Sequence, residues 1–165
     1  CFSRVMVIPR LCGPETAVQQ VGLAAAARVG LWAEHGAAGT VLVRKAASAG
    51  KEQVKGVILQ SHLDMVAQKN QDSSHDFSRD PIQAYIDGEW VKARGTTLGA
   101  DNGIGAAAAL AILADNSLSH GPIEALFTAT EETGMDGAKG LQGGWLQGDY
   151  LLNVAGEEWG EVCIG

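Results

Sequence analysis

The chain has 165 residues, 46% of them hydrophobic, which is enough to enclose one core and predicts a single globular domain. Its formal net charge is −7, and its 12 Lys and Arg residues are scattered rather than gathered into a patch or a helical stripe, which argues against nucleic acid as a partner. No apolar run reaches the length of a bilayer span and the N-terminus lacks the zones of a secretory signal, so a soluble, cytoplasmic protein with no membrane partner is expected.

From Glu15 to about Ala33 the residues are mostly helix formers rich in Ala. Val18, Val21, Ala25 and Val29 are spaced by three and four, so a first helix with one apolar face is predicted. Thr40-Val41-Leu42-Val43 follows Gly39, and Gly56-Val57-Ile58-Leu59-Gln60 follows the polar stretch from Lys45 to Lys55. Both are short β-branched runs bounded by turn signals and predict two strands. Ala84-Tyr85-Ile86 and Trp90-Val91-Lys92 flank Asp87-Gly88, whose glycine accepts a positive φ, which predicts a surface hairpin.

Ile104 to Ala114 is almost wholly apolar and Ala-rich, which predicts a helix buried on most sides. Ile123 to Phe127, Tyr150 to Val154 and Val162 to Ile164 predict three further strands. Strands alternate with helices around an inserted hairpin. That order predicts an α/β domain with a largely parallel or mixed central sheet flanked by helices, its chemistry carried on loops at strand ends. Cys1, Cys12 and Cys163 form no CxxC pair and cannot all pair with one another, so free thiols in a reducing compartment are expected. The chain opens on Cys1 and stops just after an apolar stretch, so both ends read as cut.

Three groups of residues point to chemistry. His62 and Asp64 follow an apolar strand, and residues two apart in extended chain point to the same side, so imidazole and carboxylate can lie together. A metal-ligating His generally has its second ring nitrogen held by an acceptor, which Asp64 could be; a surface His beside an exposed Asp is the plainer alternative. Asp101 lies within Gly95 to Gly103, a run whose small residues let backbone and cation approach closely, and it either ligates metal or caps the following helix.

Glu131-Glu132 follows a strand, where one carboxylate can bind metal while its neighbour takes a proton from water; the alternative is a solvated acidic turn. Each element alone has a bland explanation, but all three fall at strand ends or helix starts on what can be one sheet edge. His35, His75 and His120 lack a comparably spaced carboxylate partner and read as surface residues, although Asp76 adjoins His75. Gly134 to Gly144 contains no phosphate-loop pattern.

Ser61-His62-Leu63-Asp64-Met65-Val66, the stretch from Asp87-Gly88-Glu89-Trp90 to Asp101-Asn102-Gly103, and Ala129-Thr130-Glu131-Glu132-Thr133-Gly134 together closely resemble the aminoacyl-histidine dipeptidases, also called cytosol non-specific dipeptidases. The similarity runs over nearly the whole chain, with the three motifs in the family's order. It implies a zinc exopeptidase-like catalytic domain that is incomplete here, with the whole of residues 1–165 forming part of it. It also implies two zinc ions, although Mn or Co accept the same ligands. His62 would ligate one ion, Asp101 would bridge the two, and Glu132 would ligate the second. Glu131 would be the general base and Asp64 would orient His62. The implied reaction is hydrolysis of unblocked dipeptides, Xaa-His dipeptides among them, by a parent protein that is a homodimer.

The chain departs from that pattern in two ways. The resemblance implies a metal-binding Asp where this sequence has Ala155, and a distal His ligand and a lid or dimerisation domain beyond Gly165. A methyl group cannot ligate zinc, so each ion would keep one terminal ligand plus Asp101, below the three protein ligands usual for a catalytic zinc. Glu157 is a candidate to replace the missing carboxylate, though it would have to reach in from a different backbone position. The chain alone is therefore expected to be inactive. A related metal-dependent amide hydrolase such as a deacylase, and a non-catalytic metal-binding or interaction module, are the competing readings.

Overall fold

The computed structural model describes residues 16–36, 39–156 and 160–165. Cys1, Cys12 and Glu157 lie outside the described residues. Helix α1 (Thr16–Arg28) is followed by strands β1 (Trp32–His35), β2 (Val41–Lys45) and β3 (Val57–His62). A hairpin of β4 (Ala84–Asp87) and β5 (Trp90–Ala93) leads to helix α2 (Ala100–Ala114) and strand β6 (Ile123–Thr128). A 3₁₀ turn (Glu131–Thr133), a single helical turn α3 (Asp136–Lys139) and strand β7 (Tyr150–Asn153) complete the order.

Five strands form one mixed sheet in the order β1-β2-β6-β3-β7. β1 and β2, and β2 and β6, pair antiparallel, whereas β3 is parallel to both β6 and β7. The predicted α/β class and mixed sheet are what the chain adopts. β6 occupies the centre and all six of its residues are buried, the polar Glu124 and Thr128 among them, as a strand covered on both faces requires.

One face of the sheet carries Val41, Val43, Ala125 and Phe127 against Ala26 of α1 and Ala106, Ala109 and Leu113 of α2. The alternate residues Leu42, Ile58 and Leu126 point the other way, onto Leu141, Trp145 and Leu146. Phe127, Leu42 and Leu126 are each no more than 1% exposed, and burying a side chain of this kind contributes roughly 1.5–3 kcal/mol.

Two expectations are corrected. The first helix stops at Arg28 rather than near Ala33. Gly30 adopts a left-handed φ of 68°, and the N–H groups of Gly30 and Leu31 donate to the carbonyls of Ala27 and Ala26. This pair of bonds closes a helix on a glycine, and the residues beyond it pair with β2 as β1. Of the predicted face, Val29 falls beyond the helix end and is 40% exposed, while Leu23 and Ala26 pack inward. The side chains of Val18, Val21 and Ala25 lie outside the described residues.

Val162 to Ile164 forms no strand. The run has no partner among the described residues, and Val162 and Ile164 are 84% and 95% exposed. α2 is buried on most sides, as predicted: it buries Asn102, Gly103, Gly105, Ala106, Ala107, Ala109 and Leu113 and exposes one stripe through Ile104, Ala108 and Ala111. Composition alone carries no periodicity in an Ala-rich segment, so it could not separate these two sides.

At the end of the sheet away from the C-termini of β3 and β6, buried Glu124 accepts from Arg44 Nε at 2.8 Å and from the backbone N–H groups of Gln147 and Gly148 at 2.7 and 2.9 Å. This carboxylate ties the 141–149 segment to the central strand. Substituting Glu124→Gln removes its charge and leaves an amide nitrogen facing a donor. It is expected to lower unfolding free energy by about 2 kcal/mol, measured by urea denaturation, and unaltered stability would contradict this tether.

Candidate metal centre

Because β3, β6 and β7 run parallel, their C-terminal ends share one edge of the sheet. His62 ends β3 opposite Thr128, the end of β6, and Gln60 pairs with Asn153, the end of β7. Polar residues that follow these strands therefore emerge beside one another, as in open α/β sheets generally. α2 starts at the same edge. Gly99 takes a left-handed φ of 69°, and Asp101 and Asn102 have non-helical backbone angles before the regular helix. The Asp101–Asn102 peptide bond is cis. The Asp101 carboxylate faces His62 Nε2 at 3.0 Å.

His62 is only 2% exposed, which removes the surface-residue alternative. Its Nδ1–H donates to the backbone carbonyl of Asp64 at 3.1 Å, with an Asp64 carboxylate oxygen 3.5 Å away. Two acceptors on that side keep a proton on Nδ1 and leave Nε2 as the nitrogen for ligation. Nε2 faces Asp101 Oδ1 at 3.0 Å and Glu131 Oε2 at 3.8 Å. Ligand atoms of His62, Glu131 and Glu132 lie within 4.8 Å of one another.

Asp64 has a further task that the sequence did not disclose. It is 1% exposed, and its Oδ1 and Oδ2 accept the backbone N–H groups of Glu131 and Glu132 at 3.2 and 3.1 Å. One buried carboxylate thus fixes both the imidazole and the turn that presents the Glu pair. That turn is held in addition by left-handed backbone at Thr130 and Met135, φ 60° and 59°, and by Met135 N–H donating to the Thr130 carbonyl at 2.7 Å. Non-glycine residues in this region persist only where the surroundings enforce them. Gly137 permits the return: a Cβ there would stand 2.5 Å from the carbonyl oxygen of Ala129.

The structure therefore brings His62, Asp64, Asp101, Glu131 and Glu132 to one place. It leaves the other histidines elsewhere. His35 is exposed at the end of β1, His75 stacks edge-on against Phe77 with ring centres 4.6 Å apart, and His120 bonds the Gly121 carbonyl at the start of β6. Cys163 is exposed and unpaired. Ala155 lies half-buried past β7, its N–H donating to Asn153 Oδ1 at 2.8 Å.

The electrostatics are those of a crowded anionic pocket. Burial opposes the charged form of His62, but the hydrogen bond to Asp64 and the charges of Asp64, Asp101 and Glu131 outweigh it and raise the imidazole to about 9. Burial raises the Glu132 carboxyl; the positive charge of His62 opposes this, and Asp101, Glu131 and Asp64 add to it. Three carboxylates around one imidazole suit a divalent cation, which would neutralise their repulsion, so the donor set fits a metal of the His and carboxylate type.

This yields a pH dependence. The folded value of His62 lies above the ordinary 6.5, so in the metal-free chain its proton stabilises the fold below pH 6.5, and that contribution is lost as pH rises through about 9. A cation must displace the same proton. Apparent affinity for Mn²⁺ is therefore expected to rise by roughly tenfold per pH unit between the two values and then level off, as read by titration across that range. A flat profile would contradict it.

The peptidase family M20/M25/M40 model matches residues 58–162, a span that includes all five site residues. The chain is 56% identical over 164 residues to the cytosol non-specific dipeptidase of Escherichia coli (strain K12), covering 99% of this chain and 34% of that protein. It is 32% identical over 120 residues to the uncharacterised protein YqjE of Bacillus subtilis (strain 168), covering 70% of this chain and 29% of that one.

Among solved structures, the aminoacylhistidine dipeptidase of Vibrio alginolyticus superposes with a TM-score of 0.91 at 52% identity, over 95% of this chain and 32% of that one. Aminopeptidase PepT of Bacillus cereus shares the fold, with a TM-score of 0.78 at 22% identity over 95% of this chain and 42% of its own. The chain thus spans about a third of the length of the two dipeptidases it matches. The family model and the identity to the Escherichia coli dipeptidase agree, and the chain belongs to peptidase family M20/M25/M40.

Proposed function

We propose that this chain is part of the catalytic domain of a metal-dependent dipeptidase acting on unblocked dipeptides, Xaa-His dipeptides included. The observation that carries this reading is the convergence of one buried imidazole and three carboxylates where β3, β6 and α2 meet. His62 and Glu132 would each hold one zinc ion and Asp101 would bridge the two. A cation bound there supplies a Lewis acid that polarises a scissile carbonyl and acidifies water.

The residues of the chain do the rest. Glu131, 41% exposed and so reachable by substrate, takes the proton of the attacking water on its carboxylate and passes it to the departing amine. Asp64 keeps the His62 proton on Nδ1 and holds the Glu pair in register. Ala155 offers only a methyl, so the ligand set within the chain falls short of three protein ligands per ion. A distal His, a lid or dimerisation domain and a homodimer belong to the longer parent protein in this reading. Among the described residues no helix is long and apolar enough to cross a membrane, which fits a cytoplasmic setting.

The test is hydrolysis by the intact protein that carries this chain. Unblocked dipeptides should be cleaved in the presence of zinc and N-acylated amino acids should not; the reverse preference would replace the dipeptidase reading with a deacylase. The 165-residue chain alone should show no turnover, and vigorous cleavage by it with added zinc would overturn the claim that its ligand set is insufficient.

A further inference from the structure

Asn102 is the one polar side chain in the run from Asn102 to Ala114, and it is 1% exposed. Both heteroatoms of its carboxamide are buried without a hydrogen-bond partner. A buried amide left in this way gives up its bonds to water for nothing in return, so the position is unfavourable for folding alone, and an orphaned polar group of this kind calls for an explanation beyond packing. An apolar residue of the same size would suit the cavity better.

The surroundings show where the carboxamide is aimed. It fills the space left by the absent side chain of Gly105: a Cβ built there would stand 2.1 Å from Asn102 Oδ1 and 3.1 Å from its Cγ. The same Cβ would lie 3.2 Å from the backbone carbonyl oxygen of Val154. Gly105 therefore opens a shared space in which the amide of Asn102 confronts the chain just past β7. On its other side Asn102 is bonded directly to Asp101, whose Oδ1 lies 3.0 Å from His62 Nε2.

The geometry points to Asn102 as a positioning residue of the cation site, its carboxamide latching the Asp101 turn to the Val154 carbonyl across Gly105. It rests on the cation reading above. Oδ1 is the carboxamide atom nearest the Gly105 space; when the site is loaded the carboxamide turns over and its Nδ2–H donates to that carbonyl. This fixes Asp101 on one side and the turn bearing Ala155 on the other. The carboxamide acts through Asp101 and touches neither substrate nor the reacting atoms.

The proposal separates stability from ligation, because the two respond in opposite directions. Asn102→Leu keeps volume and removes the orphaned amide, so the metal-free melting temperature should hold or rise. Affinity for Mn²⁺, titrated alone into the intact protein and read by its electron paramagnetic resonance signal, should fall by about 10–100-fold. Gly105→Ala expels the carboxamide from its space and should reproduce the loss in affinity. The double variant should lose little more than either single one, since both break the same latch.

Unchanged Mn²⁺ affinity in both variants overturns the positioning role and leaves the cation reading intact. Melting temperature and affinity falling together in Asn102→Leu, while Gly105→Ala keeps its affinity, also overturns it, because that pattern describes a packing residue. Absence of Mn²⁺ uptake by the unaltered protein overturns the cation reading and this proposal with it.

Discussion

Substituting Glu131→Gln is expected to lower dipeptide turnover by the intact protein about 10²–10⁴-fold, the usual loss when a positioned general base is removed. Cation content and melting temperature should stay near those of the unaltered protein. The carboxylate is 41% exposed, so its loss opens no cavity, and its backbone N–H, the group that Asp64 accepts, is unaffected. The combination matters because the ligand atoms of Glu131 lie as close to His62 and Glu132 as those of a ligand would. Loss of cation together with turnover would make Glu131 a ligand and contradict its assignment as base. Glu132→Gln is the counterpart, expected to lose cation and turnover together.

Asp64→Asn is expected to act on fold and site at once. The carboxylate accepts two backbone N–H groups, one on each oxygen. An amide can accept only one of them. Whichever way it turns, its NH₂ faces the other N–H, and that buried donor is left without a partner. Removing the charge beside His62 also lowers the proton affinity of the imidazole from about 9.

We expect a loss of about 3 kcal/mol in unfolding free energy. Affinity for Mn²⁺ should fall by about 10–100-fold, because the imidazole and the Glu pair are no longer held together. Urea denaturation and cation titration on one preparation check both. A variant with native stability and native affinity would show that Asp64 merely neighbours the site.

Much of this site was legible in the sequence because it is built from short segments. His62 and Asp64 are two apart on extended chain, Glu131 and Glu132 are adjacent, and Asp101 sits in a glycine run. Each pattern therefore survived as a local signal. What the sequence could not disclose depends on contacts between distant segments. The Asp64 carboxylate reaches N–H groups 67 and 68 residues away, and Asn102 meets the end of β7 through the gap at Gly105. The signal for Asn102 was present all the same: it is a single polar residue in a run of Gly, Ala and aliphatic side chains.

The errors in the fold have the same origin. Helix propensity from Glu15 to Ala33 carried the predicted helix through Gly30, whose left-handed conformation ends it, and Trp32-Ala33-Glu34-His35 became a strand because β2 offered it a partner. Val162-Cys163-Ile164 has the composition of a strand and no such partner among the described residues. β propensity is largely a measure of fit to neighbours, and it decided neither case alone.

The central claim is that His62, Asp101 and Glu132 together form a cation centre, and anomalous diffraction at the zinc absorption edge tests it most directly. Crystals of the intact protein grown with zinc should show two anomalous peaks, one at His62 Nε2 and one at Glu132, with the Asp101 carboxylate between them and Glu131 beside them outside ligand distance. A map with no peak at that sheet edge, or with zinc held by other residues while these five stay bonded only to one another, would contradict the account.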